Sequence, residues 1–219
     1  MAFITKKNLS KVRKSNPELK TVSPTGRMEL IDIIKDAIEK YGPEVDLNFI
    51  DVSGVNNMAY VFKADVNCEF NGDISQWDVS HVLAMRGMFI DSKFNGDISQ
   101  WDVSSVTDMK YMFIDSEFNG NISDWDVSNV EKMQGMFSGE NTKFNGDISR
   151  WNVSSVNSFA DMFEDNKYFE GDISRWDVQN AIEYAEKNND YPFLNMFFNS
   201  KLLSLNKIPK WYKPYMDIH

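Results

Sequence analysis

Cysteine and histidine are nearly absent from this sequence. Cys68 is the only cysteine among 219 residues, so no internal disulfide can form, and we expect a small, partly buried thiol in a turn. The only histidines are His81 and His219, one in a variable repeat position and one at the terminus, so a histidine-based triad or a zinc site would be hard to assemble. Phosphate-binding glycine loops and Cys-x-x-Cys pairs are missing too. These absences favour a protein that is not an enzyme and that uses no metal or cofactor.

Long apolar runs are missing as well. No stretch approaches the roughly 18 consecutive apolar residues that a membrane-spanning helix needs. Residues 1–20 also lack the apolar core of a secretory signal. We therefore expect a cytoplasmic protein without a membrane span.

Positive charge is scarce in the middle of the chain. Residues 44–180 carry nine basic and 24 acidic side chains, whereas residues 1–43 carry nine basic and five acidic ones. An acidic surface of this kind repels phosphates, so no nucleic acid partner is expected. The basic residues near the N-terminus are interpreted as a solvated leader.

The sequence is rich in an internal repeat. The eleven residues Phe-Asn-Gly-Asp-Ile-Ser-Gln-Trp-Asp-Val-Ser begin at Phe70 and occur again unchanged at Phe94, and the tryptophans recur every 24 to 26 residues. A degenerate copy at 46–62 is unit 1, and five phenylalanines begin units 2 to 6. The predicted core positions are Phe70, Phe94, Phe118, Phe144 and Phe169, with Trp77, Trp101, Trp125, Trp151 and Trp176.

Each unit changes its apolar period partway along. In unit 3, residues 101–103 alternate apolar and polar side chains, which predicts a short half-buried strand. Apolar residues then recur three, six and seven positions after Val106, which is typical of one face of a short helix. Ser104 is the expected N-cap of that helix, and the Asn-Gly pair at Asn95 is the expected turn.

A unit of about 24 residues cannot bury its own apolar side chains, so the units must stack. An amphipathic helix that starts near Ser23-Pro24 or Thr25 and stops at Gly42-Pro43 is expected to cover the first unit. The aromatic C-terminal tail is interpreted as a second cap, with a ligand-binding patch as the alternative. The predicted parts are residues 1–22, a leader; 23–43, a capping helix; 44–180, six units; and 181–219, a C-terminal cap.

Residues 94–113 resemble the repeat unit of the bacterial BspA-like surface proteins, which have repeats of about 26 residues and are also abundant in mycoplasmas. The similarity covers residues 46–178, and a leader helix at 27–41 is similar to arrangements in shorter family members. The resemblance implies a leucine-rich-repeat-like solenoid with a role in adhesion or protein recognition. The predicted fold class is therefore α/β, a leucine-rich-repeat-like solenoid of six strand-plus-short-helix coils with a parallel sheet, a helical N-cap and an aromatic-rich C-cap.

Two columns of acidic or amide side chains are expected to align along the stack. Carboxylates about 4.8 Å apart repel one another unless hydrogen bonds, solvent or cations intervene. Bonds to nearby backbone amides are favoured over calcium binding, which stays open. A further asparagine column, at 71, 95, 119 and 145, is interpreted as an internal amide ladder. The first column is Asp73, Asp97, Asn121, Asp147 and Asp172, and the second is Asp78, Asp102, Asp126, Asn152 and Asp177.

Some positions vary between units while their neighbours stay fixed, so they are released from packing. They either precede the tryptophan or follow the serine. Together with the strand aspartates they predict an acidic, polar strip that suits a basic protein partner. The candidate contact residues are Gln76, Asp78, His81, Gln100, Asp102, Ser105, Asp124, Asp126, Asn129, Arg150 and Arg175.

The predicted function is a non-catalytic protein-binding or scaffold module that uses this variable face. A surface adhesin of the BspA-like type is the first alternative. A regulator or inhibitor of a host or bacterial protein is the second. An enzyme with its site in the aromatic C-terminal tail also stays open.

Overall fold

The computed structural model describes residues 21–63, 67 and 69–215. Most of the predicted basic leader lies outside these residues. The predicted turn thiol Cys68 and the terminal His219 lie outside them as well.

Regular secondary structure is confined to the two ends of the described chain. Three α-helices and one short 3-10 helix are present, and the described residues between 42 and 178 form turns, bends and isolated bridges. Helix makes up 17% of the described residues and bridge or strand conformation 5%. The elements are α1, Arg27–Tyr41; α2, Gln179–Asn188; α3, Lys201–Ser204; and a 3-10 helix, Lys213–Tyr215.

The prediction of a short helix in each unit is wrong. Tyr111, in the middle of the stretch expected to be helical in unit 3, has a φ of 60°, in the left-handed region. The N–H of Met109 donates to Lys132 of the next unit at 2.9 Å instead of to a carbonyl four residues earlier. Turn bonds such as Met112 N–H to Met109 O, at 3.3 Å, produce the apolar spacing of three that the sequence shares with a helix.

The predicted parallel sheet is also wrong, and with it the fold class of strand-plus-helix coils. Among the described residues, neighbouring units pair through single parallel bridges that never extend into a ladder. Left-handed residues such as Tyr111 keep the chain out of strand conformation, although every second N–H from Met109 to Asp115 still donates to a carbonyl of unit 4. The stretch expected to be the strand is held by turn bonds such as Trp101 N–H to Ile98 O, at 3.2 Å. The bridges between units run through Asn57, Ala84, Asp108, Lys132 and Ser158.

The units nevertheless lie in register, and their aromatic side chains form continuous columns. Phe113 packs between Phe89 and Phe137 with ring centroids 5.5 and 5.7 Å apart and interplanar angles of 3° and 1°. Phe118 fills the gap beside it, 4.5 Å from Phe113. Each buried ring pair of this kind contributes about 0.5–1.5 kcal/mol beyond the area it buries. Aromatic packing and backbone hydrogen bonds together hold the units in register.

The tryptophans form a second link between units. The five tryptophans of units 2 to 6 are 4–5% exposed, and the indole Nε1–H of each donates to a backbone carbonyl of the preceding unit. Each accepting carbonyl also receives a turn bond, as Ile98 does from Trp101, so each indole of this indole ladder adds a second bond worth about 0.5–1.5 kcal/mol. The distances, from Trp77, Trp101, Trp125, Trp151 and Trp176 in turn, are 3.0, 3.2, 3.1, 3.0 and 3.1 Å.

Unit 6 is interrupted by α2 and completed by residues 192–198. The N–H of Phe159 donates to Pro192 O at 2.7 Å, in the manner of the bonds between earlier units. The ring of Phe163 stacks on Phe197 at 5.8 Å with an interplanar angle of 1°. Residues 192–198 are therefore the last rung of the stack.

The aromatic tail closes the C-terminal end. Trp211 continues the indole ladder by donating to Ile173 O at 3.3 Å. Its ring and that of Tyr215 pack on Phe193, while Tyr212 meets Phe197 edge to face at 86°. Tilted rings end the columns because they offer no parallel face for a further unit.

Helix α1 closes the opposite end. It begins two residues after Thr25, whose N–H and hydroxyl both donate to Glu29, and it ends before Gly42, which has a φ of 89°. These bounds lie within the predicted range. Its buried side chains are Leu30, Ile31, Ile34 and Ala37.

Candidate functional site

The first aspartate column holds the turns in place. Each carboxylate or amide oxygen accepts the N–H of the serine two residues later, at 2.9–3.0 Å. The Ser149 and Ser174 amides hold the pKa of Asp147 and Asp172 below the usual value. Hydrogen bonds to backbone amides therefore relieve the repulsion along this column.

The second aspartate column does the same, and this corrects the role predicted for its serines. Ser104 caps no helix; its hydroxyl and N–H donate to Asp102 at 2.6 and 3.0 Å. The hydroxyl and N–H of Ser128 likewise lower the pKa of Asp126. Side chains in both columns are thus engaged in local turns. Within the described part of the chain, no group of three or more His, Cys, Asp or Glu residues is arranged to hold a metal ion.

The positions before the tryptophans form an exposed line along the stack, which we call the variable column. All five side chains are exposed at equivalent places in successive units. Their chemistry runs from neutral through acidic to basic. The variable column is Gln76, Gln100, Asp124, Arg150 and Arg175.

The variable positions after the serines are more engaged than the sequence indicates. His81 Nε2 lies 3.2 Å from a carbonyl oxygen of unit 1, and Asn129 Nδ2 donates to a carbonyl of unit 3 at 2.7 Å. Ser155 also donates to the preceding unit, at 2.6 Å, and Ser105 is only partly exposed. These side chains link units, so they offer less to a partner than the variable column does.

The asparagine column forms a ladder on the surface instead of in the interior. The N–H of Asn119 donates to Asn95 Oδ1 at 2.8 Å, and the N–H of Asn145 donates to Asn119 Oδ1 at the same distance. Asn95, Asn119 and Asn145 are all exposed. The acceptor is the side-chain oxygen and the donor is backbone, which ties this column to the scaffold.

A second surface lies at the last rung, in the tail for which the sequence left a ligand-binding patch as the alternative. Tyr191, Leu194 and Phe198 are 56%, 41% and 54% exposed. The order Phe193-x-x-Met-Phe197 repeats that of Phe159-x-x-Met-Phe163, and this match could have identified the rung.

No helix in the described part of the chain is long and apolar enough to cross a membrane. No curated protein and no solved structure matches the sequence. Two overlapping segments, residues 34–139 and 112–211, match the family described as Mycoplasma protein of unknown function, DUF285. Together these segments span most of the chain, which therefore belongs to this mycoplasma family.

Proposed function

We propose that this protein is a non-catalytic protein-binding module whose contact surface is the variable column. The observation that carries the proposal is the exposure of all five of its side chains at equivalent positions. Buried tryptophans and turn-forming aspartates flank these positions and hold the backbone. A surface whose chemistry changes while its scaffold stays constant is suited to recognising one partner among many.

The charge along this face favours a partner with a basic segment. Asp78, Asp102 and Asp126 lie exposed beside the neutral and acidic half of the variable column. Arg150 and Arg175 stand at the other half. A basic segment is therefore expected opposite units 2 to 4, where like charges do not oppose it.

The test is to capture partners from the native cell and to compare the protein with the variant Asp124→Lys/Arg150→Glu/Arg175→Glu. The variant should capture at least tenfold less partner, because opposite charges become like charges across the interface. Quantitative mass spectrometry of the eluates measures the ratio.

A control variant, Glu117→Lys/Lys93→Glu/Lys132→Glu, makes the same charge changes at exposed positions outside the variable column. It should capture as much partner as the unmodified protein. Equal loss in both variants would show that net charge, and not the variable column, governs capture.

A BspA-like surface adhesin is the alternative, and the resemblance of residues 94–113 favours it. It differs from the first proposal in location, since the sequence predicts a cytoplasmic protein. Treating intact cells with protease decides between them. A cytoplasmic binding module should survive the treatment, whereas an adhesin on the surface should be degraded.

A further inference from the structure

The last rung differs from unit 5 on its outer side. Two backbone hydrogen bonds set its register against unit 5. The N–H of Asp161 donates to Leu194 O at 2.8 Å, and the N–H of Asp165 donates to Phe198 O at 2.9 Å. Each outward residue of the last rung therefore has a counterpart one unit earlier. Tyr191, Leu194 and Phe198 follow Asn157, Ala160 and Glu164.

Large apolar groups thus replace the small or polar ones of unit 5 where the stack ends. Six of the ten exposed large apolar side chains among the described residues lie between Tyr184 and Leu205. Exposed apolar groups that gather in one place mark an interaction surface more often than single exposed ones do.

Closure of the core does not account for these side chains. Phe193, Met196 and Phe197 point inward and are 0–3% exposed. They take up the contacts with unit 5 and with the aromatic tail. The outward residues of the last rung are therefore available for another purpose.

A cavity of about 270 Å³ lies beside this surface, between α2 and the last rung. Ile182, Phe193 and Leu194 give it an apolar lining. This volume is too small for a folded element but accommodates a single long side chain.

Four other lining residues are aromatic or acidic, and Ala185, Asn189 and Pro192 complete the lining. Tyr191 and Tyr215 supply two rings, and Glu186 and Asp190 supply two carboxylates. One oxygen of Asp190 accepts the N–H of Tyr191 at 2.8 Å, which leaves its second oxygen for a ligand. The lining residues include no lysine or arginine.

This chemistry matches an arginine side chain. Its three methylenes fit an apolar lining, its guanidinium packs on aromatic rings, and its planar donors pair with carboxylates. Lysine matches less well, because its ammonium is more strongly hydrated and does not stack.

We propose that the cavity holds an arginine side chain of a protein partner, while Leu194 and Phe198 contact apolar residues that flank this arginine. The inference rests on the proposed function, because it assumes that the protein binds another protein. It adds a second contact surface at the C-terminal end of the stack.

The test titrates N-acetyl-arginine methylamide into the ¹⁵N-labelled protein and follows amide chemical shifts. The shifts should concentrate on amides around the cavity, such as those of Ile182, Tyr191 and Leu194. Glu186→Gln/Asp190→Asn should weaken binding at least fivefold. The matched variant Glu183→Gln/Glu140→Gln, which removes two exposed carboxylates outside the cavity lining, should bind as the unmodified protein does.

The neutral isostere N-acetyl-citrulline methylamide, added to the unmodified protein, keeps the test independent of any variant. Equal shifts from both probes would overturn the proposal, because the cavity would then not select charge. Shifts spread over Asp78, Asp102 and Asp126 would also overturn it. So would concentration-dependent dimerisation that Phe198→Ser abolishes, since a second copy would then occupy the surface.

The two proposals can fail separately. Selective arginine binding at the cavity, with capture unaffected by the variable-column variant, would refute only the variable column as the contact surface. Loss of capture in that variant, without arginine binding, would refute only the cavity.

Discussion

Aromatic rings lie parallel in the middle of the stack and at steep angles to one another at its C-terminal end. In the middle, rings such as Phe89 and Phe113 lie parallel, with an angle of 3° between their planes. At the end, Tyr212 meets Phe193 and Phe197 at 81° and 86°. Parallel rings can be repeated, because each presents the same face to the next unit. Tilted rings end the repetition. Aromatic side chains therefore extend the stack when they lie parallel and close it when they are tilted.

The largest expected effect comes from deleting a ring in the middle. Phe113→Ala should lower the free energy of unfolding by about 3–5 kcal/mol, because Phe113 is fully buried between two other rings. Tyr215→Ala, at the partly exposed end, should cost less than half as much. Urea unfolding followed by tryptophan fluorescence measures both. Equal losses would show that the end packs as tightly as the middle.

The next effect concerns the indole ladder. Trp125→Phe removes one of the two bonds that the Ile98 carbonyl accepts and part of a buried ring, and should cost about 1–3 kcal/mol. Trp211→Phe removes the corresponding bond at the partly exposed end and should cost about 0.5–1.5 kcal/mol. The same urea measurement applies. A larger loss for Trp211 would reverse the comparison between the two regions.

The repeat could be predicted from the sequence because equivalent buried positions in successive units carry the same residue types. Trp101 and Phe113 recur at constant spacing, and the structure buries both. The conformation between them could not be predicted, because a chain of three-residue turns gives the same apolar spacing as a helix. Tyr111 adopts a positive φ that tyrosine rarely takes, and only the neighbouring units impose it.

The candidate site was predictable to a similar degree. Asp124 and Arg150 vary between units and are exposed, as expected for positions released from packing. The bonds that His81 and Asn129 make to preceding units depend on the distance between units, which no single repeat encodes. Trp211 lies outside the repeat spacing, so its place in the indole ladder could not be predicted from the sequence.

A smaller effect on stability is expected when an aspartate in the middle of the stack is replaced by asparagine. Hydrogen bonds from Ser128 lower the pKa of Asp126 in the folded protein, so its stabilisation is present above the unfolded pKa of about 4 and disappears as pH falls through the lower folded value. Asp126→Asn should keep the turn, as Asn152 does in unit 5, and remove this pH dependence.

Urea midpoints between pH 7 and pH 2 test this prediction. The variant should be less stable than the unmodified protein at pH 7 and equal to it at pH 2. Asn152→Asp is the reverse change and should add pH dependence. A constant difference across the whole range would contradict the assigned role of the carboxylate charge.

The smallest effect is expected on the outer side of the last rung. Leu194→Ser and Phe198→Ser should each change the free energy of unfolding by no more than about 0.5 kcal/mol, because both side chains are exposed. Phe197→Ala, on the inner side, should cost about 3–5 kcal/mol. Thermal and urea unfolding of the three variants measure the difference. A large loss for Phe198→Ser would make this residue part of the closure.

Hydrogen exchange of the indole N–H groups tests the stacking of the units most directly. The ¹H–¹⁵N resonances of the six tryptophans can be assigned with single Trp→Phe variants and followed after transfer to D₂O. The indoles of Trp101, Trp125 and Trp151 should exchange slowest, and that of Trp211 fastest. Exchange of Trp125 at the rate of a free indole would contradict the in-register stack.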